Sequence, residues 1–103
     1  MKPVQIQKRR VAADMCACVD DDRSFLHIEF TIPGVNKEDI HLMLHKDSYN
    51  LKAEKKDVEY VSTGRFTCPV EIERTEANYE NGLLNVNIPL KDRWENAYSV
   101  TIH

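Results

Sequence analysis

The sequence predicts a small all-β domain with the build of a sandwich, and three features predict it. Apolar residues recur with a period of two from Val11 to Ile88, the spacing of a strand with one buried face rather than the stripe of a helix. Turn-forming groups interrupt that alternation at Asp20-Asp21-Asp22, Pro33-Gly34, Asp47-Ser48 and Asn81-Gly82. The composition, 42% apolar and 30% charged over 103 residues with 3 Gly and 4 Pro, suits one modest hydrophobic core and is unlike a disordered chain.

Taken in order, Val11, Ala13, Met15, Ala17 and Val19 fall on one face of a first strand that the acidic cluster Asp20 to Asp22 closes. From Phe25 to Ile32, Leu26, Ile28, Phe30 and Ile32 face inward, while His27, Glu29 and Thr31 face water, until Pro33-Gly34 stops the strand. Asn36 to Asp39 reads as a polar turn with a short helical twist, after which Ile40, Leu42 and Leu44 alternate with His41, Met43 and His45. A reversal near Asp47-Ser48 leads to Tyr49, Leu51 and Ala53. The run Glu54-Lys55-Lys56-Asp57 mixes signs and carries no net charge, as a solvated hairpin end would; a further hairpin is expected around Ser62-Thr63-Gly64. Phe66, Cys68, Val70 and Ile72 then share one side of an irregular or edge strand marked by Pro69. Leu84, Val86 and Ile88 share the inner face of the last strong strand, opposite Asn85 and Asn87, and Pro89 ends it. The expected organisation is a short polar N-terminal arm over 1-10, a sandwich over 11-90 and a C-terminal extension over 91-103. Trp94 in that extension is either a packing anchor or an exposed aromatic.

The formal charge of -3 provides no cationic field to neutralise phosphates or hold the protein on anionic lipid, so neither nucleic acid nor membrane is an expected partner. No continuous apolar segment opens the chain and none reaches the ~20 residues that span a bilayer, which gives a cytoplasmic expectation. The odd set Cys16, Cys18 and Cys68 has no framework spacing and points the same way, to a reducing compartment.

The order of elements resembles a known family. Phe30-Thr31-Ile32-Pro33-Gly34-Val35-Asn36-Lys37-Glu38-Asp39-Ile40 is similar to the small heat-shock protein pattern of strand, Pro-Gly stop, Lys-Glu-Asp turn and second strand. Leu51-Lys52-Ala53-Glu54-Lys55-Lys56 follows at the matching distance. Ala77-Asn78-Tyr79-Glu80-Asn81-Gly82-Leu83-Leu84 resembles the family signature, in which Ala77 is followed five residues later by Gly82 and then by an apolar residue and Leu84. Asn81-Gly82 also has its own physical reading as a tight turn with positive φ angles ahead of a buried strand. The resemblance spans about Ala12 to Ile102 and implies an immunoglobulin-like β-sandwich of the α-crystallin type with about 7-8 strands.

It further implies a C-terminal anchor, since Val100-Thr101-Ile102 resembles the family's pair of branched apolar residues around one arbitrary residue. In an extended chain Val100 and Ile102 project to one side about 7 Å apart and can fill neighbouring pockets by strand addition. The receiving groove implied by the family lies between the strands Ile40 to Leu44 and Leu83 to Ile88, with Leu42, Leu44, Leu84, Val86 and Ile88 as lining. The other reading of the same residues is plain core, with Val100 to Ile102 as a last strand of the same sandwich. The chain departs from the family in its short polar arm, in a short segment between Lys56 and Phe66, in Gly64 where an Arg is usual, and in a shorter stretch from Pro69 to Gly82.

Catalytic and metal sites find little support in the sequence. Cys16 and Cys18 on a strand lie about 7 Å apart without a second ligand pair, and are read as buried or half-exposed structural cysteines. His41 and His45 on one strand lie about 13 Å apart, too far to chelate one ion. His27 with Asp20 to Asp22 lacks the strained elbow and oxyanion loop of a nucleophilic triad. No catalytic residue, metal or cofactor is therefore expected. Two functions from different classes remain. The first is an ATP-independent holdase that binds unfolded or partly folded clients and self-associates as a dimer or larger assembly through Val100 and Ile102. The second is a co-chaperone or adaptor of the related CS type docking on one large partner; an accessory sandwich domain of a gas-vesicle or ATPase system ranks behind both.

Overall fold

A computed structural model describes residues 8–92, 94 and 97–103. Eight strands occur in it: β1 (Arg9–Ala12), β2 (Asp14–Val19), β3 (Phe25–Thr31), β4 (Ile40–His45), β5 (Ser48–Lys55), β6 (Val58–Arg65), β7 (Glu76–Glu80) and β8 (Leu83–Pro89). Single 3₁₀ turns at Lys37–Asp39 and Ile72–Arg74 are the other regular elements. The strands form two four-stranded sheets, a first in the order β1-β6-β5-β4 and a second in the order β2-β3-β8-β7. This is the all-β sandwich that the alternation predicts. The expected arm at 1-10 lies outside the described residues up to residue 7, and its end, Arg9–Ala12, is strand β1.

The inner faces of β3, β5 and β8 are the ones read from the sequence. Leu26, Ile28 and Phe30, Tyr49, Leu51 and Ala53, and Leu84, Val86 and Ile88 are all buried, with Ile32 completing the layer. At 1.5–3 kcal/mol for each fully buried large apolar side chain, roughly, this layer supplies most of the force that holds the sheets together.

Four expectations need correction. The strand foreseen from Val11 to Val19 breaks at Ala13, where the chain passes from the first sheet to the second. β1 pairs in parallel with β6, the Ala13 N–H still donates to the Val61 carbonyl at 2.9 Å, and β2 then pairs antiparallel with β3. Every residue of β2 is exposed, so neither the apolar face of Met15, Ala17 and Val19 nor the thiols of Cys16 and Cys18 are buried. The hairpin placed at Ser62 to Gly64 does not exist. The reversal falls at Lys56-Asp57, inside the charged run read as a solvated hairpin end, where Lys56 adopts φ 27°, and Ser62 to Gly64 continue β6 beside β5. The strand expected through Phe66, Cys68, Val70 and Ile72 is a loop that touches the second sheet at one bridge, Val70 to Leu90, because Pro69 offers no donor and the chain turns at Ile72–Arg74. Finally, Glu76 to Glu80 forms β7, which the sequence reading passed over.

Two turns clasp one another beside the core. Asn81 and Gly82 have φ of 53° and 80°, the paired positive angles of a tight hairpin turn, as Asn-Gly predicts. A Cβ on Gly82 would lie 3.1 Å from the Pro33 Cα, so glycine also permits the close approach of the two loops. Ile32 N–H donates to the Gly82 carbonyl at 2.9 Å, and the Tyr79 hydroxyl lies 3.0 Å from the Ile32 carbonyl and 2.8 Å from that of Val35.

Gly64 serves packing rather than turning. It pairs with Tyr49, and a Cβ there would sit 2.5 Å from Tyr49 Cε1. The Tyr49 ring is wedged between Phe30 and Phe66, with centroid distances of 5.6 and 6.0 Å, and has no room to retreat. Gly64→Ala is therefore expected to cost about 1–3 kcal/mol by overpacking, read as a lower urea midpoint at unchanged m-value.

Candidate rim groove, C-terminal anchor and histidine cluster

Because β1 runs into β2, these two edge strands lie at one margin of the sandwich, and β4 and β7 lie at the other. At the second margin Ile40, Leu42 and Leu44 register with the buried Ala53, Leu51 and Tyr49, so they point inward, yet all three are only half-buried. Across from them Ala77 and Tyr79 register with Val86 and Leu84 and point inward as well. Ala77 is nonetheless exposed and Tyr79 half-buried.

The sequence-derived lining is thus divided. Leu42 and Leu44 are half-buried at the margin, whereas Leu84, Val86 and Ile88 retain 4%, 1% and 0% exposure and belong to the core, as the plain-core reading has them. β7 intervenes between β8 and the margin. Ala77, singled out above for its place in the Ala-to-Gly-Leu signature, lies on that strand.

Among the described residues the extension after β8 contributes no strand to the sandwich. Val100 is 71% and Ile102 90% exposed, and Trp94 and Tyr98 are also open to solvent. The reading of Val100 to Ile102 as a last strand of the same sandwich is therefore set aside. The larger cleft of about 1250 Å³ lies where the tail departs, between Phe25, Cys68, Pro69, Leu90 and Trp94, with Arg23, Glu71, Arg74, Glu76 and Lys91 giving it a polar, charged border.

His27 and Asp20 come together, though not as part of a triad. On the outer face of the second sheet the His27 ring is bracketed by Asp20 at Nε2 and Asn87 at Nδ1, linking the ends of β2, β3 and β8. No hydroxyl stands among those partners. With oxygen acceptors at both ring nitrogens, the arrangement favours an imidazolium that donates twice. The Asn87 hydrogen bond foremost, then the bond and charge of Asp20, raise the His27 pKa above the ordinary histidine value against the opposing effect of partial burial. His41 and His45 are exposed, as read from the sequence. Among the described residues no group of three or more His, Cys, Asp or Glu side chains is placed to hold a metal ion, and no helix is long and apolar enough to cross a membrane.

Comparison with known proteins bears on what this geometry is for. No protein-family model matches the sequence. A probable 15 kDa heat shock protein of Leptospira interrogans is 30% identical, with 66% of this chain and 63% of that protein covered, so the chain spans less than two thirds of the relative's length. Among solved structures, heat shock protein 16.0 from Schizosaccharomyces pombe superposes with a TM-score of 0.73 at 17% identity, over 91% of this chain and 77% of that one. HSP18.5 from E. histolytica gives 0.70 at 13% identity, over 89% of this chain and 99% of that one. A mutant of hsp14.1 from Sulfolobus solfataricus gives 0.70 at 19% identity over 91% and 79%. The fold is the β-sandwich of these solved heat shock proteins, and the sequence is similar to the Leptospira protein over 82 residues.

The histidine cluster carries a pH dependence whose sign follows from the raised pKa. The stabilisation is complete below the unfolded histidine value of about 6.5 and is lost as pH rises through the higher folded value. The melting-temperature advantage of the wild type over His27→Gln is expected to be larger at about pH 5.5 than at about pH 8.5, measured by thermal melts in matched buffers.

Proposed function

We propose that the protein is an ATP-independent holdase chaperone, which binds unfolding or partly folded proteins at its sheet margins and self-associates through its C-terminal anchor. The observation that carries this reading is the pairing of half-buried apolar residues on the edge strand β4 with a tail whose Val100 and Ile102 are 71% and 90% exposed. Exposed side chains of that size gain from burial, and an extended segment can add to the free edge of β4 while placing alternate residues into the rim. The same surface suits strand-like apolar segments of a client, so assembly and client capture compete for it. The similarity to heat shock proteins in sequence and fold supports a chaperone role, and a cytoplasmic setting accords with the three free thiols.

One observation favours the second reading, an adaptor docking on a single large partner. β1 covers half of the β6 edge within the same chain, over Val58 to Val61, with the Arg10 guanidinium 3.3 Å from the Glu59 carboxylate. A sandwich that caps its own edge has less need of a second copy. Solution size separates the two.

If the anchor assembles the protein, Ile102→Ala removes burial equivalent to about 1.5–3 kcal/mol and weakens self-association roughly ten- to hundredfold. The check is light scattering across a concentration series, with Val100→Ala as a second variant. A particle that is monomeric at every concentration and indifferent to both changes contradicts the proposal. For client holding, equimolar protein is expected to suppress heat-induced aggregation of a test client such as citrate synthase without added nucleotide, with Leu42→Asp at the rim reducing that protection.

A further inference from the structure

The margin opposite the tail groove ends the second sheet in β2, whose chemistry is self-complementary. Met15, Ala17 and Val19 pair with Phe30, Ile28 and Leu26 of β3 and therefore face into the sandwich. Met15 and Val19 nevertheless keep 43% and 39% exposure, even though the Tyr49 hydroxyl of β5 reaches the Met15 sulfur at 3.2 Å. On the outer face stand Cys16 and Cys18, both exposed free thiols, opposite Glu29 and His27.

The ladder determines which backbone groups of β2 are open. Ile32 N–H donates to the Gly82 carbonyl and Leu90 N–H to the Ser24 carbonyl, so the even-numbered residues of β3 bond toward β8. Its odd-numbered residues bond toward β2, as the donation from Asp20 N–H to the Phe25 carbonyl at 3.1 Å requires. By the antiparallel alternation Cys16 and Cys18 are then committed to β3, and Met15, Ala17 and Val19 direct their N–H and C=O groups to the open edge.

We propose that β2 is a homodimerisation edge, pairing antiparallel with β2 of a second copy about a two-fold axis through Ala17, and that this register sets Cys16 opposite Cys18 of the second copy for a pair of symmetry-related disulfides. Only registers that oppose open residues to open residues can form, which restricts the axis to single residues of the strand. An axis at Cys16 would engage Ala13, whose N–H is already given to Val61. An axis at Cys18 would set Met15 against Asp21. At Ala17 the inner face matches Met15 with Val19 of the second copy, which closes the uncovered end of each sandwich. The opposed thiols then occupy a non-hydrogen-bonded pair, where Cα atoms approach to about 4.5 Å, inside the span of about 4.4–6.8 Å that a disulfide bridges. Within one strand Cys16 and Cys18 are about 7 Å apart and point in parallel, so they do not bridge each other. At each end Asp14 meets Asp20 of the second copy; that repulsion weakens with salt, and His27 already contacts Asp20.

Each bridge takes two electrons and two protons from one pair of thiols, and in the test these go to the azo group of diamide, which becomes the hydrazine. The experiment uses the full chain with Cys68→Ser, oxidised with diamide and resolved on non-reducing gels. The dimer is expected to cross-link, whereas Cys16→Ser and Cys18→Ser each abolish the band alone and restore it when the two variants are mixed, since only the mixed pair opposes Cys16 to Cys18. Cross-linking by either single variant alone, or none on mixing, overturns the register. Ala17→Pro deletes an N–H that points to the open edge and spares the ladder to β3, so the cross-linked yield should fall at least about tenfold with circular dichroism unchanged. Should that variant misfold, Met15→Lys is read in its place, and a yield equal to the parent's overturns the proposal.

Discussion

The structure depends on a thin apolar layer that two sheets of short strands can share only along their middle. β3, β8 and β5 bury their inward residues completely, with Phe30, Ile32, Leu51, Val86 and Ile88 below 2% exposure. Moving outward the cover fails. Leu42 and Leu44 on β4, Ala77 on β7, and Met15 and Val19 on β2 point the same way as their buried neighbours and still meet water. A domain of this size has too few residues to seal both margins, so it pairs a stable centre with apolar margins that gain by being covered. For an enzyme such margins would be a hazard; for a protein that binds strands and apolar segments they are the working surface.

Each residue of the Ala77, Gly82, Leu84 signature acts at a different depth of that layer. Leu84 packs in the core, 4% exposed. Gly82 allows the hairpin its positive φ and lets the Pro33 loop come within 3.1 Å of where a Cβ would stand. Ala77 faces inward at the margin and is exposed. Tyr79 fastens the same hairpin to the carbonyls of the Pro33-Gly34 turn. Thus margin, clasp and core follow one another within eight residues of the chain.

The parts of the fold legible in the sequence are those whose turns and alternation agree. Leu26 to Ile32, Ile40 to Leu44, Tyr49 to Ala53 and Leu84 to Ile88 each alternate cleanly and end at a recognisable turn, and each has the expected face inward. The crossing at Ala13 was hidden because Val11, Ala13 and Met15 keep alternating through it; a strand that changes sheets without changing period leaves no trace in composition. The Lys56-Asp57 turn lacks the glycine that marks such reversals, whereas Gly64, which looks like a turn, is there to admit the Tyr49 ring. β7 was missed since Glu76, Asn78 and Glu80 face water and its inner face holds only Ala77 and Tyr79. The exposure of β2 is a property of tertiary arrangement alone.

The two margins differ in the assemblies they can build. A contact at β2 about a two-fold axis uses the same strand on both copies and is complete once formed, so it yields a closed pair. A tail entering the rim of a neighbour joins unlike surfaces and leaves one tail and one rim unused, so it continues until a ring closes. Since β1 and β2 lie on one side of the sandwich and β4 and β7 on the other, occupying one margin leaves the second accessible. Pairs joined at β2 could therefore be linked through their tails, and loosening the tails would return pairs with open rims rather than isolated sandwiches. Under the proposed assembly, the surface uncovered on disassembly would be the margin of Leu42, Leu44 and Ala77, which would couple the size of the particle to the apolar area it presents to an unfolding chain.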